Sequence, residues 1–137
     1  MQRVVVDANV FLSVFVERNE KQGAAAKALL LKAEDGEVAV IVPQFVIFEI
    51  VYVLESTYRI GREKLKDVIR DLLALPGVLA IDECPWKRIL DLWPSPFRSI
   101  ADAAIVAIAA DKRYDAVATF DQTLAKRLKA FSVVPYW

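Results

Sequence analysis

The sequence predicts a single α/β domain built on a parallel β-sheet with helices on both faces. Short apolar runs rich in β-branched residues alternate with longer segments of helical pattern along the whole chain, which is the pattern of strands connected by crossover helices. The first run, Val4–Val6, is apolar at every position, as expected for a strand buried on both faces. The 137 residues contain no linker, repeat or low-complexity segment, so residues 1–137 are expected to form one domain.

The first predicted strand and helix meet at a carboxylate. Strand Arg3–Val6 is followed by Asp7 and then by helix Ala8–Val16. A second helix, Gly23–Glu34, ends at the turn signal Asp35-Gly36, and a second strand follows at Val38–Val42.

The middle of the chain continues the alternation. Pro43 stands where proline is tolerated, in the first turn of a helix that runs to Tyr58. Gly61 separates it from an amphipathic helix, Arg62–Leu75. Pro76-Gly77 is a turn signal, and Val78–Ile81 is the third strand.

The last part of the chain is predicted by the same patterns. The prolines of Pro94-Ser95-Pro96 end a helix that begins at Asp82. The remaining segments are a helix, a strand, a helix and a short fifth strand, at Ser99–Lys112, Ala116–Ala118, Asp121–Ala130 and Ser132–Val134.

Composition restricts the chemistry that this chain can perform. There is no histidine, so a Ser-His-Asp triad and a histidine-ligated zinc site are excluded. The single cysteine, Cys84, cannot form an internal disulfide. Lysine and arginine total 18, as do aspartate and glutamate, so nucleic acid could be bound only through a local basic patch or a bound cation. The carboxylates that remain are suitable ligands for Mg²⁺ or Mn²⁺.

The distribution of apolar residues indicates location and assembly. The longest apolar run, Ala103–Ala110, is too short to span a membrane, and the N-terminus lacks the long apolar stretch of a signal peptide. These features and the cysteine content favour the cytoplasm. Apolar residues make up 56% of the chain, and this excess together with helix Arg62–Leu75 suggests a homodimer.

Two carboxylates share one pattern, a short apolar strand followed by an acid and a helix. Asp7 and Asp121 have this pattern, and in open α/β sheets the carboxyl ends of the strands are where ligands bind. The alternative for each is a role as the N-cap of the following helix.

Two further carboxylates lie in apolar helices. Glu49 has nine apolar neighbours between Phe45 and Leu54, and a charge there is costly unless it is paired or binds metal. Its alternative is a solvent-facing stripe. Asp102 lies in the first turn of a helix, and its alternative is a capping box with Ser99. Asp115 and Asp82 serve as controls, because one precedes its strand and the other follows the third strand.

Taken together, these segments resemble the PIN domain family. The resemblance rests on Val6-Asp7-Ala8-Asn9, an acid in the helix led by Pro43, Ile100-Ala101-Asp102-Ala103-Ala104-Ile105, and Thr119-Phe120-Asp121. The sequence is similar in particular to the VapC-type toxin ribonucleases and their stand-alone relatives. The likeness extends over essentially the whole chain, with one departure at Trp86–Arg98.

The resemblance implies a fold, an activity and a site. The fold is a three-layer α/β/α sandwich with a five-stranded sheet of order 3-2-1-4-5, in which strands one and four are neighbours and the four acids converge. The activity is that of a Mg²⁺- or Mn²⁺-dependent endoribonuclease. Asp7 and Asp102 are the expected direct ligands. Glu49 binds metal or orients water, and Asp121 binds a second ion or acts through water. Asn9 and Thr119 match the supporting polar positions.

Several partners are expected with this activity. Phosphates of an RNA substrate could contact Arg98 and the backbone near Ser99. The family points to a homodimer and, for a toxin, to a small VapB-like antitoxin protein.

Three other classes of protein share part of this pattern. A phosphatase of the HAD type also places an acid after strand one, but it needs a second acid two residues later, where this chain has Asn9. A non-catalytic interaction module on the same fold would be expected to lose the acids. A receiver domain would need a phosphoacceptor aspartate after strand three, and Asp82 is a loose match.

Overall fold

The computed structural model describes all residues from Met1 to Trp137 and is an α/β domain with one parallel sheet. The four strands are β1 (Gln2–Val6), β2 (Val38–Pro43), β3 (Val78–Ile81) and β4 (Ala116–Ala118). The seven helices are α1 (Ala8–Phe15), α2 (Glu20–Glu34), α3 (Gln44–Ser56), α4 (Arg62–Ala74), α5 (Trp86–Leu92), α6 (Ile100–Asp111) and α7 (Gln122–Arg127), and a 3-10 helix follows at Leu128–Phe131. The predicted fold class is confirmed.

The sheet has the order β3-β2-β1-β4, and all its pairs are parallel. In register, Val5 of β1 lies between Ile41 of β2 and Val117 of β4. All six residues of β2 are buried, as are the last three of β1. Because successive side chains of a strand point to opposite faces, this pattern means that both faces of the sheet centre are covered.

The prediction of a fifth strand at Ser132–Val134 is wrong, although the segment does lie beside β4. Val117 donates its N–H to the carbonyl of Val134, and Tyr136 donates its N–H to the carbonyl of Val117, each at 2.9 Å. The contact amounts to one isolated parallel bridge between Val117 and Pro135. Ser132 has a left-handed backbone with φ 59°, and Pro135 has no N–H to donate, so the ladder cannot extend.

Two helices begin three or more residues away from the predicted start. Helix α2 starts at Glu20, three residues early, because the side chain of Asn19 caps it by accepting the N–H of Gln22. Helix α5 starts at Trp86, four residues late. Pro85 disfavours helical geometry at the residue before it, and residues 82–85 are irregular.

The helices pack on the sheet around one continuous core. Helix α1 contacts α2 and α3, while α5 packs on α6 and α6 packs on β4. Phe11, Ile50 and Ile105 are each at most 1% exposed and bring α1, α3 and α6 into that core. The carboxyl ends of β1 and β4 and the first turns of α3 and α6 therefore have fixed positions. None of the helices is both long enough and apolar enough to cross a bilayer.

Candidate active site

The site lies at the carboxyl edge of the two neighbouring strands β1 and β4. The chain leaves β1 toward β2 on one side, whereas β4 lies on the other side, so this is the point where the strand order reverses and where open sheets bind ligands. The N–H of Asp7 still continues the sheet by donating to the carbonyl of Ala118 at 3.0 Å. Asp7 and the residues after Ala118 are therefore adjacent across the sheet edge.

Asp7 is held by three hydrogen bonds. Its Oδ1 accepts the N–H of Ala8 at 2.8 Å, which makes it the N-cap of α1. Its Oδ2 accepts the Thr119 hydroxyl at 2.8 Å and the Asn9 amide at 3.1 Å. The carboxyl group is 8% exposed, and a buried carboxylate is stable only when its oxygens are bonded in this way. The cap alternative is correct for Oδ1, while Oδ2 belongs to a separate network.

That network joins the two strands through Asn9 and Thr119. The Asn9 side chain also donates to the Thr119 hydroxyl at 3.3 Å and accepts the N–H of Phe120 at 3.1 Å. The Thr119 hydroxyl accepts the N–H of Asp121 at 3.1 Å. The two predicted supporting residues thus fix the geometry between Asp7 and Asp121.

Asp121 is the N-cap of α7 and lies at the surface. Its Oδ1 accepts the N–H groups of Thr123 and Leu124 at 2.9 and 3.1 Å. Its Oδ2 accepts no hydrogen bond from the protein, so this oxygen can contact a ligand while the other caps the helix.

Asp102 lies in the first turn of α6, and half of the capping-box alternative is correct. The Ser99 hydroxyl accepts the N–H of Asp102 at 3.2 Å and caps the helix. The carboxylate of Asp102 does not return a bond to Ser99 and accepts no hydrogen bond from the protein. It is half-buried. Its carboxylate is therefore not needed for capping.

Glu49 is half-buried on α3, between buried and exposed neighbours. The solvent-facing stripe of this helix consists instead of Phe48 and Tyr52, each 72% exposed. The Glu49 carboxylate accepts no hydrogen bond from the protein, and the negative charges of Asp7 and Asp102 contribute to raising its pKa. The stripe alternative therefore does not describe Glu49.

The acids interact with one another. The pKa of Asp102 is raised from 3.8 to about 6, mainly by burial and also by the charges of Asp7 and Asp121, against the lowering effect of the Arg127 charge. Burial also raises the pKa of Glu49, again with contributions from Asp7 and Asp102. The pKa of Asp7 is raised by burial and by Asp121, against the lowering effect of its hydrogen bonds. Such shifts result from desolvation and like charge acting together.

The two control acids lie elsewhere. Asp82 accepts a hydrogen bond from the Gln44 side chain at 3.0 Å at the end of β3, two strands from β1. Asp115 accepts the N–H of Arg3 and pairs with its side chain at the opposite edge of the sheet. Neither contributes to the pKa of Asp7, Glu49 or Asp102.

The structure adds a cation that the sequence analysis did not identify. Arg127 donates from Nη1 to the carbonyl of Pro96 at 2.6 Å, and its guanidinium lies 5.7 Å from the ring centre of Phe97. It forms no ion pair with a carboxylate. Its charge nevertheless acts on Asp102. Nothing in the local sequence marks Arg127, because the contact depends on α7 meeting the loop before α6.

Arg98 and Ser99, the predicted substrate contacts, each accept a local hydrogen bond. Arg98 is exposed, and its carbonyl accepts the indole N–H of Trp93 at 3.0 Å. The Ser99 hydroxyl is used by the helix cap. The loop is thus anchored through both residues, and the guanidinium of Arg98 extends into solvent.

The oxygen atoms of the side chains at this site are chemically suitable ligands for a hard divalent cation. Carboxylate and threonine oxygens are the ligands that Mg²⁺ and Mn²⁺ prefer. Glu49, Asp102 and one oxygen of Asp121 accept nothing from the protein. No group of three or more acidic side chains is gathered closely enough to hold an ion as it stands.

The fold and this edge define the chain as a parallel α/β domain with an acidic, histidine-free centre at the strand switch point. Comparison with known families gives the assignment: the PIN domain profile matches residues 4–129, and the chain belongs to the PIN domain family. The resemblance found in the sequence is confirmed. A search of curated protein sequences finds no significant match.

Two solved structures are similar to this chain over nearly its full length. VapC20 of Mycobacterium tuberculosis, a toxin that cleaves the sarcin-ricin loop, has a TM-score of 0.69 and 16% identity, covering 90% of this chain and 93% of its own. FitAcB from Neisseria gonorrhoeae has a TM-score of 0.61 and 19% identity, covering 98% and 96%. At these identities the likeness concerns the fold.

Proposed function

We propose that this chain is a Mg²⁺- or Mn²⁺-dependent endoribonuclease whose centre consists of Asp7, Glu49, Asp102 and Asp121. The observation that carries the proposal is the presence of one buried and two half-buried carboxylates that repel one another at the switch point of a PIN domain. Burial and neighbouring acids raise the pKa of all three. Perturbed acids in such a place are typical of functional sites, and a divalent cation compensates their repulsion.

Each residue of the site has its own role in the proposed hydrolysis of a phosphodiester bond. A bound divalent ion would shield charge on the phosphate and acidify a water molecule. Asp7 holds a fixed position because Thr119 and Asn9 bond its Oδ2. The Glu49 carboxylate is free to orient the attacking water and accept its proton as the new P–O bond forms. The departing oxygen then takes a proton from solvent as the old P–O bond breaks.

Arg127 supplies positive charge on the substrate side. Its guanidinium is bonded to a carbonyl and not to a carboxylate, so its charge is not neutralised. A phosphate of the RNA strand beside Asp102 would form charge-assisted hydrogen bonds with it. We therefore propose Arg127 as a phosphate contact beside Arg98 and the backbone near Ser99.

The proposed biological role is that of a toxin with a small antitoxin partner in the cytoplasm. Support comes from the family and from the fold likeness to VapC20, which is described as a toxin. The proposed homodimer is better supported on α3, where Phe48 and Tyr52 are each 72% exposed, than on α4. The outward side of α4 is charged, with Lys64, Lys66 and Asp67 exposed.

Geometry disfavours the phosphatase alternative. A general acid two residues after Asp7 is required there, whereas Asn9 is an amide whose side chain is fully used by Asp7, Thr119 and Phe120. The presence of all four acids disfavours a non-catalytic module.

The direct test is cleavage of a panel of labelled RNAs by the purified protein, beside phosphatase substrates, with Mn²⁺, with Mg²⁺ and with EDTA. We expect internal cuts in RNA that require the metal. Equal cleavage in EDTA would contradict the metal mechanism, and hydrolysis of phosphate monoesters alone would favour the phosphatase.

A further inference from the structure

A small apolar cavity opens beside the acidic site. Its volume is about 190 Å³, and it lies between α3, α5 and α6. Its lining includes Phe45, Glu49, Trp86, Ile89, Ile100 and Ala104. Apart from Glu49 the walls carry no charge. Neither of the two solvent-facing aromatic residues of α3 contributes to the cavity.

Glu49 belongs to the cavity and to the acidic site at once. It lines the cavity wall, and so does Ala101, the residue directly before Asp102 in α6. Whatever fills the cavity is thus next to a group bound at the acids. In an RNA strand, the group next to a phosphate is a nucleobase linked through one ribose.

The size and walls of the cavity suit one flat ring system. Sites for drug-sized molecules occupy about 300–1,000 Å³, and this cavity is smaller. Trp86 is 56% exposed although it is among the largest apolar side chains, so part of its indole remains available to a ligand. Stacking of bases on aromatic side chains is the usual way in which single-stranded RNA is held without reading its sequence.

We propose that this cavity is a nucleobase subsite, in which the base next to the scissile phosphate packs against Trp86 and Phe45. The proposal rests on the ribonuclease function proposed above and adds a substrate contact to it. Because the walls offer almost no hydrogen-bonding groups, the subsite selects for the presence and size of a base and not for its hydrogen-bonding pattern.

The test combines a modified substrate with a matched pair of variants. An RNA oligonucleotide with one mapped cut is made with an abasic nucleotide at each position around that cut. Trp86→Ala, Trp86→Phe and the control Leu90→Ala are compared with the parent. Leu90 lies on the same helix with the same 56% exposure but does not line the cavity. Binding is measured in parallel with Asp102→Asn, which is expected not to cut.

We expect one abasic position next to the cut to lower kcat/KM about tenfold, within the range for loss of one base–aromatic stack. The loss should appear mainly in KM, since the contact forms before the chemical step. Trp86→Ala should cause much of this loss on intact RNA, because the base then keeps only its contact with Phe45. It should add nothing on the abasic RNA, where the contact with Trp86 is already absent. Trp86→Phe and Leu90→Ala should stay near the parent.

Three outcomes would overturn the proposal. If no abasic position matters and Trp86→Ala cuts like Leu90→Ala, the cavity has no nucleobase role, while the ribonuclease function stands. Additive losses would show that Trp86 acts elsewhere. If the parent neither cuts nor binds any RNA, the proposed function fails and the subsite with it.

Discussion

The two halves of the acidic site differ in how the protein holds them. On the strand side, Asp7 accepts three hydrogen bonds. Asn9 and Thr119 link it to the residues directly before α7. On the helix side, Glu49 and Asp102 are half-buried and accept none.

This difference distinguishes an acid that has a structural role from two acids that have none. A carboxylate with bonded oxygens and a cap role contributes to folding, and Asp7 would be explained in part by structure alone. Glu49 and Asp102 raise the free energy of the folded protein, because each charge is desolvated near like charges. No cap or ion pair accounts for them, so the helix side is where a ligand role is needed.

The largest expected effect is on RNA cleavage, and substitutions in either half of the acidic site should cause it. Asp7→Asn, Glu49→Gln and Asp102→Asn should each lower metal-dependent RNA cleavage at least about a hundredfold, which is about 2.7 kcal/mol in the barrier. Initial rates on one labelled RNA measure this. Asp115→Asn is the control and should retain parent activity, because Asp115 pairs with Arg3 at the other edge of the sheet. If Glu49→Gln cleaved RNA as fast as the parent, Glu49 would have no part in catalysis.

The second prediction concerns stability and should affect the strand side alone. Thr119→Val keeps the shape but leaves Asp7 without one buried donor, so we expect a loss of about 1–2 kcal/mol in the free energy of unfolding at pH 7. The Thr119 bond favours the ionised form of Asp7 and lowers its pKa. The loss should therefore shrink as pH falls and Asp7 becomes protonated.

Urea unfolding at several pH values measures this loss. Ser13→Ala is the control, because the buried Ser13 hydroxyl donates to the carbonyl of Asn9 at 2.9 Å and contacts no acid. Its cost should not depend on pH. A Thr119→Val cost that is equally flat with pH would mean that the hydroxyl does not support the charge of Asp7.

A third and smaller effect should come from loss of the positive charge of Arg127. Arg127→Gln should lower RNA cleavage about tenfold and reduce the slope of log affinity against log salt by about one, as expected when one phosphate contact is lost. Arg88→Gln is the matched control, since Arg88 pairs with Asp111. Equal salt slopes for the two variants would exclude a phosphate contact at Arg127.

The strand side of the site could be predicted from the sequence, because it depends on local order. Val4–Val6 followed by Asp7, and Ala116–Ala118 followed by Thr119 and Asp121, are short-range patterns, and the parallel sheet brings their ends together. The missed N-cap at Asn19 was equally local. The prediction of a fifth strand was wrong because the three-residue segment Ser132–Val134 before Pro135 cannot sustain a ladder.

The helix side depends on tertiary contacts that no local pattern encodes. Glu49 could be singled out because it is a charged residue in an apolar helix. Whether it faces solvent or the acidic site depends on how α3 packs, which the local sequence does not determine. Arg127 was missed for the same reason, since its partners Pro96 and Phe97 precede it by about thirty residues. The start of α5 was misplaced because Pro85 overrides the helical pattern before it.

The central claim, that the acids form one cation site, is tested most directly by thermal melts of parent and Asp102→Asn with EDTA and with saturating Mn²⁺. The pKa of Asp102 is raised from 3.8 to about 6, so the folded state holds the proton more tightly than the unfolded chain. The stability that protonated Asp102 provides is fully present below pH 3.8 and is lost as pH rises through about 6.

Asparagine is neutral at every pH, so in EDTA at pH 7.5 Asp102→Asn should be more stable than the parent by about 1 kcal/mol, allowing for solvent screening of a half-buried group. Mn²⁺ should raise the melting temperature of the parent, because it binds the folded state alone, and should raise that of Asp102→Asn much less. A variant that melts like the parent in EDTA, with Mn²⁺ shifting neither protein or both equally, would contradict the shared cation site and leave Asp102 with a structural role.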